Sequence, residues 1–233
     1  MSKKKSKVNV QYFEPQSLDW LNARKANITG TEVSTLFGLN KYSNPTKLLQ
    51  SKIENISEIV DNIYLRAGRF LEPAIIADLK NYGIPAQPVH EHMVAFVKHP
   101  DFPISVSLDG KAMYNGKFYV VECKTCSGAN KATGLSKFEE WKTAPPVQYY
   151  IQVQVQLMCT GVNQAFLACT EAVMPFPILA WEIVADPKLH ALIGEEVTRF
   201  YECYKEKKRF FVNRDHGQYI TDSVLTNSSL ILV

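Results

Sequence analysis

Apolar positions along this chain follow a helical spacing first, an alternating one next, and then both in turn. Trp20 and Leu21 anchor a helical stretch that begins near Ser17. Thr29 or Thr31 offers the N-cap of a second helix, with Glu32 in its first turn and Val33, Leu36 and Phe37 as its apolar face. A loop over 38–45 carries Lys41 and Tyr42, and a further helix is expected from about Pro45 to Lys52. Helical spacing returns over 62–82 and is interrupted by Pro73, so a helix either begins or kinks there; Gly83 and Pro85 end it. Strands are expected at about 89–97, 103–109 and 117–124. Residues 127–146 carry a weak helix and stop at Pro145-Pro146, and a helix from about Val147 to Cys159 closes at Gly161. Strands at 164–170 and 178–184 precede a last amphipathic helix over 188–212, with Leu192, Val197, Phe200, Tyr204 and Phe211 near helical spacing. Residues 1–16 read as a disordered basic tail. The order predicts one α/β domain over 17–233, a mixed central β-sheet flanked by helices with a helical N-terminal part.

Composition changes this picture little. The chain has 233 residues, 46% hydrophobic and 21% charged, as ordinary soluble domains do. A net charge of +3 permits a nucleic-acid partner without requiring one. Part of the excess is Lys3, Lys4, Lys5 and Lys7, a solvated terminus before it is a phosphate-binding arm. There is no apolar run of about 18 residues, so no membrane span is expected. The lysine-rich start lacks the apolar stretch of a secretory signal. Cys123, Cys126, Cys159, Cys169 and Cys203 are odd in number and scattered, as free thiols in a reducing cytoplasm would be.

Candidate chemistry gathers after residue 103. Asn115-Gly116 suits the positive φ angles of a type I′ turn, which predicts a hairpin over 104–125. A two-residue turn pairs Asp109 with Glu122, with Cβ atoms roughly 5 Å apart. Lys124 then shares the face of Glu122 and stands opposite Ser107. The other face sets Ile104, Val106 and Leu108 against Tyr119, Val121 and Cys123, fit for a core. Two opposed carboxylates repel unless a cation joins them, and a hard divalent metal on oxygen ligands is the natural resident. A solvated surface neutralised by Lys124 is the alternative.

Asp109, twelve intervening residues, then Glu122-Cys123-Lys124 resembles the PD-(D/E)xK nuclease signature. Five segments carry a resemblance to the lambda-exonuclease-type (YqaJ-like) viral recombinases. Arg24 to Glu32, RKANITGTE, resembles their "R…ITASE" start. Gly68-Arg69-Phe70-Leu71-Glu72 is similar to their "G…E" helix, and Ser107-Leu108-Asp109-Gly110 to their "SPDG". Val121-Glu122-Cys123-Lys124 resembles "LELK", and Tyr150 to Gln154 their "QVQ" helix. Leu108 replaces the usual proline and Thr31 the usual serine. The motifs stand in the family's order from about residue 20 to 160; nothing beyond them matches.

The resemblance implies a Mg²⁺-dependent exonuclease (Mn²⁺ a possible substitute) on double-stranded DNA. It would work from a 5′ end to leave a 3′ single strand, as a ring-shaped homotrimer beside a single-strand annealing protein. The setting would be a phage or prophage recombination system in bacterial cytoplasm. In that scheme Asp109, Glu122, the backbone carbonyl of Cys123 and Glu72 hold metal. Lys124 acts on the attacking water, and Gln152 holds that water or Lys124. Arg24 would grip a 5′-phosphate, with Thr31 and Ser107 as hydroxyl donors and Lys41 and Tyr42 reaching into a DNA groove. Each residue has a plainer reading: Glu72 an N-terminal carboxylate before Pro73, Gln152, Gln154 and Gln156 a polar helix face, Arg24 a salt bridge to Asp19 or Glu32. An endonuclease on the same core and a catalytically silent DNA-binding module are the rival functions.

Overall fold

The ribbon that the sequence joins at Asp109 divides there between two sheets. The computed structural model describes residues 8–54, 62–128 and 134–232; the four N-terminal lysines lie outside the described residues. Strand β1 (Val10–Phe13) precedes helix α1 (Leu18–Lys25), strand β2 (Ile28–Thr29) and helices α2 (Gly30–Leu36), α3 (Pro45–Ile53) and α4 (Ile63–Asp78). Strands β3 (Ala86–Pro88), β4 (Val94–Lys98), β5 (Ile104–Leu108), β6 (Gly110–Tyr114) and β7 (Lys117–Cys126) follow. Then come α5 (Lys137–Thr143), α6 (Val147–Thr160), β8 (Gln164–Glu171), β9 (Ile178–Val184), α7 (Pro187–Glu206), α8 (Asp215–Thr226) and β10 (Ser228–Leu232). One sheet runs β1-β4-β5-β2, the other β10-β9-β8-β7-β6-β3. Both are mixed, with β2 parallel to β5 and β7 parallel to β8.

Strand β7 lies inside the larger sheet and sends its alternate residues to two cores. Tyr119, Val121 and Cys123 pack with Ile75, Ile76 and Leu79 from α4 and the turn after it. Val120 joins the larger core with Tyr150, Ile151 and Val155 of α6. Burying one such side chain contributes about 1.5–3 kcal/mol. Helix α6 is covered on nearly every side, and its buried set includes Gln148, Gln152, Gln154 and Gln156. Buried amides need partners, and those of Gln152 and Gln156 build the site below.

Four expectations give way. Val10–Phe13, read as tail, pairs antiparallel with β4. Helix α4 does not start at Pro73 but runs through it from Ile63 to Asp78, with the proline exposed. The hairpin register holds from Gly110↔Val121 to Tyr114↔Lys117, but β5 leaves it to pair with β4 and β2. The last long helix stops at Glu206, where Lys207 turns left-handed at φ 52°. Phe210 thereby folds back into the core, 5.4 Å from the Phe200 ring. Tyr204 and Phe211, expected on the apolar face, are exposed.

Asp186 ties the C-terminal elements together. It caps α7 by accepting from Lys188 N (3.0 Å) and Leu189 N (3.1 Å). Its oxygens also accept from the hydroxyls of Tyr219 (2.7 Å) and Ser223 (2.5 Å) on α8. Burial alone would raise its pKa, yet these donors together lower it. Asp186→Ala should lose about 2–4 kcal/mol of unfolding free energy, since a cap, the buried Ser223 hydroxyl and the half-buried Tyr219 hydroxyl lose their acceptor. Urea titration checks this; a loss below ~0.5 kcal/mol would mean that α8 docks without the carboxylate.

Stability should also fall in acid through His190. Its Nε2 lies 3.0 Å from Gln154 Oε1, and burial lowers its pKa to about 4, with Asp186 opposing and His99 adding to the shift. The unfolded imidazole takes its proton near pH 6.5, so the folded state binds fewer protons between pH 6.5 and 4. Stability is complete above that window and declines as pH falls through it, by at most about 3 kcal/mol. Urea midpoints at pH 7.5 and pH 5 should converge in His190→Gln relative to the parent.

Candidate active site

The point of division at Asp109 makes the site. Gly110 permits it: a Cβ there would stand 3.1 Å from the Gln87 carbonyl oxygen and 3.2 Å from Val121 Cβ. With β5 diverted, Asp109 does not face Glu122 across a ladder; its Oδ2 accepts the backbone N–H of Cys123 at 2.9 Å. Ser107 likewise pairs with Phe96 on β4 instead of standing opposite Lys124. The expected apolar face splits too, with Ile104 and Val106 in one core and Tyr119, Val121 and Cys123 in the other.

Glu122 is not on a solvated patch. It is 1% exposed and faces α6. Its Oε1 accepts from Lys124 Nζ and Gln152 Nε2, and its Oε2 from Gln156 Nε2. Gln156 Nε2 also donates to the Ser107 carbonyl at 3.1 Å. The Oε1 atoms of Gln152 and Gln156 are buried without a partner among the described residues. Gln154 points away, to Val184, Asp186 and His190.

Acidic groups outnumber basic ones at this centre. Burial, then Glu122, push the Glu72 carboxyl up to about 7, against the pull of Lys124. Burial, Glu122 and Glu72 raise Asp109 well above the usual carboxylate range, against Lys124 and the Cys123 N–H. Burial works to lower Lys124, but Glu122 and Asp109 outweigh it and hold the ammonium protonated. Burial raises the Cys123 thiol, which packs in the core. Three carboxylates against one ammonium suit a further cation, and their oxygens are hard donors. Among the described residues no three His, Cys, Asp or Glu groups already stand at metal-holding spacing. The donor type, the excess of acidic groups and the two unpartnered amide oxygens fit a divalent ion; ligation would require the acidic groups to ionise and draw together and Lys124 to share Glu122.

All the sequence-derived candidates line one cleft of about 1650 Å³. Glu72, Asp109, Glu122, Cys123, Lys124 and Gln152 cluster around the charged centre. Arg24 lies on the wall with its guanidinium 4.8 Å from the centroid of the Trp20 indole. Trp20 Nε1 reaches Ser107 Oγ at 3.4 Å. Burial lowers the Arg24 pKa and Glu32 opposes the shift. The salt bridge considered for Arg24 does not form among the described residues: Glu32 pairs instead with Lys52 at 3.1 Å and accepts the Thr29 N–H at 2.8 Å. Thr31 is exposed, its Oγ1 3.3 Å from that of Thr29. Lys41 and Tyr42 are exposed together at the mouth, the ammonium 5.5 Å from the ring centroid.

Two residues escaped the sequence reading. Trp20, read only as a helix anchor, carries Arg24. Tyr149 stacks on Trp141 and holds the Lys124 ammonium 5.0 Å from its ring centroid. The spacing 149, 152, 156 places Tyr149 on the helix face of the two glutamines, which was the available signal.

The sequence pattern of the YqaJ-like viral recombinase domain matches residues 19–163, a span that holds every one of these groups. The chain belongs to the YqaJ-like viral recombinase family. A relative described as "Uncharacterized protein YqaJ", from Bacillus subtilis (strain 168), is 27% identical over 165 residues, 69% of this chain and 48% of that protein. The chain thus spans about half the length of this curated relative. The fold is shared with the alkaline exonuclease LHK-Exo of Laribacter hongkongensis, at a TM-score of 0.64 and 22% identity over 88% of this chain and 98% of that one. It is also similar to a phage-related exonuclease of Haemophilus somnus 129PT, at a TM-score of 0.53 and 14% identity over 80% and 97%. The architecture is accordingly the mixed α/β fold of PD-(D/E)xK nucleases, and the elements after residue 163 extend it beyond the matched domain.

Proposed function

We propose that this YqaJ-like chain is a Mg²⁺-dependent deoxyribonuclease, with Mn²⁺ able to substitute. It removes nucleotides from the 5′-phosphorylated end of duplex DNA, 5′ to 3′, and leaves a 3′ single strand for phage-type recombination. The observation that carries the reading is the surplus of carboxylate over ammonium on the cleft floor, with a desolvated guanidinium on the wall of the same cleft.

Asp109, Glu122, Glu72 and the Cys123 carbonyl would hold the metal, which when bound supplies Lewis-acid stabilisation of charge on the scissile phosphate. Lys124, held as an ammonium by Glu122 and Asp109, orients the attacking water and balances phosphate charge; it is not set up to take the proton. Gln152 and Gln156 fix Glu122. Water attacks phosphorus in line with the departing oxygen, so the P–O bond breaks as the new one forms. Arg24, with Thr31 and Ser107 on the lining of the same cleft, takes the terminal 5′-phosphate in bidentate fashion, and Lys41 and Tyr42 meet the duplex at the mouth. Among the described residues no helix is long and apolar enough to cross a membrane. Bacterial cytoplasm, a trimeric ring around DNA and a single-strand annealing partner belong to the same proposal.

The test is digestion of a linear duplex labelled separately at each end, with Mg²⁺ and with chelator. Release from the 5′ label first, only with metal, is the expected outcome. Cleavage of a covalently closed circle would favour the endonuclease, and binding without metal-dependent release the silent module.

A further inference from the structure

Gln156, on α6, sits where two strands and a helix meet. It is 0% exposed, and both hydrogens of its amide are committed, one to Glu122 Oε2 on β7 and the other to the Ser107 carbonyl on β5. Ser107 lies two residues before Asp109, where the ribbon leaves one sheet for the other. One NH₂ group therefore spans the gap that the missing ladder leaves between the Asp109 strand and the Glu122 strand. Asp109 itself makes one direct tie to β7, its Oδ2 accepting the Cys123 N–H at 2.9 Å; Gln156 adds a second tie, from Glu122 on β7 to Ser107 on β5. Gln152, one turn earlier, holds the other oxygen of the carboxylate but reaches no part of β5 in its hydrogen bonding among the described residues.

We infer that Gln156 is a positioning residue that sets the separation of Asp109 from Glu122, and so the affinity of the pair for a divalent cation. This rests on the nuclease reading above. Hydrogen bonds that orient metal-binding groups typically change metal affinity by 10–100-fold when removed. Gln156 does more than orient one ligand, since its second bond fixes the strand that carries the other.

Gln154 provides an internal control. It is as deeply buried on the same helix, and its amide bonds Val184, Asp186 and His190, away from the centre. Gln156→Met and Gln154→Met each remove a buried amide while keeping an unbranched chain, so both should lower the unfolding temperature. Mn²⁺ titrated calorimetrically into the protein without DNA should bind at least ~10-fold more weakly to Gln156→Met than to the parent. Gln154→Met should bind like the parent. With DNA and saturating metal, Gln156→Met should lower kcat with KM for DNA unchanged. Gln156→Asn, one methylene short of spanning both acceptors, should fall in the same direction, and covers the case in which the Met variant does not fold. In the parent protein, Mg²⁺ should shift the side-chain amide resonances of Gln156 and leave those of Gln154 in place. Parent-like Mn²⁺ affinity in the folded Gln156 variants, an equal loss in Gln154→Met, or Gln156 resonances unmoved by Mg²⁺ overturns the inference and leaves the nuclease standing. A parent protein that takes up no Mn²⁺ and releases no nucleotides overturns both.

Discussion

Lys124→Ala should lose DNA hydrolysis by at least ~10²-fold, the scale of a removed catalytic group, while still binding duplex DNA. The ammonium is fixed from three sides: Glu122 Oε1 accepts from it, Asp109 attracts it, and the Tyr149 ring lies 5.0 Å away. A cation held this firmly is placed to stabilise a transition state without reorganising. Binding should survive because Lys41, Tyr42, Arg24 and Thr31 line other parts of the same cleft. Removing Lys124 also leaves Glu122, Asp109 and Glu72 with less positive charge near them. The variant should therefore be less stable without metal, and should regain more stability from added Mg²⁺ than the parent does. Single-turnover cleavage, with a gel-shift assay beside it, measures both halves. Near-parent turnover would remove Lys124 from the chemistry.

The register of the hairpin was legible because Asn115-Gly116 admits one turn type, and pairing propagates from it residue by residue. The break at Asp109 was not legible, because Gly110 looks locally like any strand residue. What ends the pairing is distant: β4 and β2 claim β5 from either side. The sequence thus pointed to residues that share one cleft, but through a geometry the molecule does not adopt. Asp109 meets β7 through the Cys123 N–H instead of across from Glu122. The glutamines of α6 misled for a related reason. Spacing alone made them a polar, solvated face, whereas a helix covered on nearly all sides hides its periodicity. Their partners come from β7, β5, β9 and the start of α7, which no local pattern reveals. Helix α8 buries only Ile220, Ser223 and Val224, too few for an amphipathic signal, and the chain between it and α7 is governed by the return of Phe210 to the core.

Arg24→Ala should reduce degradation of 5′-phosphorylated ends by about 10²-fold and that of 5′-hydroxyl ends far less. Two hydrogen bonds from a guanidinium to a phosphate contribute about 1.5–3 kcal/mol each, and 1.4 kcal/mol is tenfold in rate. The position suits the task. Burial has removed part of the hydration of the guanidinium, as its lowered pKa records, and the Trp20 indole supports its flat face. Glu32, the acid best placed to neutralise it, is engaged by Lys52. A cation desolvated without a carboxylate partner gains more from an arriving anion than one already paired. Arg24→Lys should recover only part of the loss, because an ammonium keeps the charge without the planar fork. Trp20→Ala should fall between the two, since it leaves the guanidinium present but unsupported. Paired rate measurements on duplexes that differ only in the 5′ group decide the matter. An equal loss on both ends would show that Arg24 acts on the DNA backbone in general and not on its terminus.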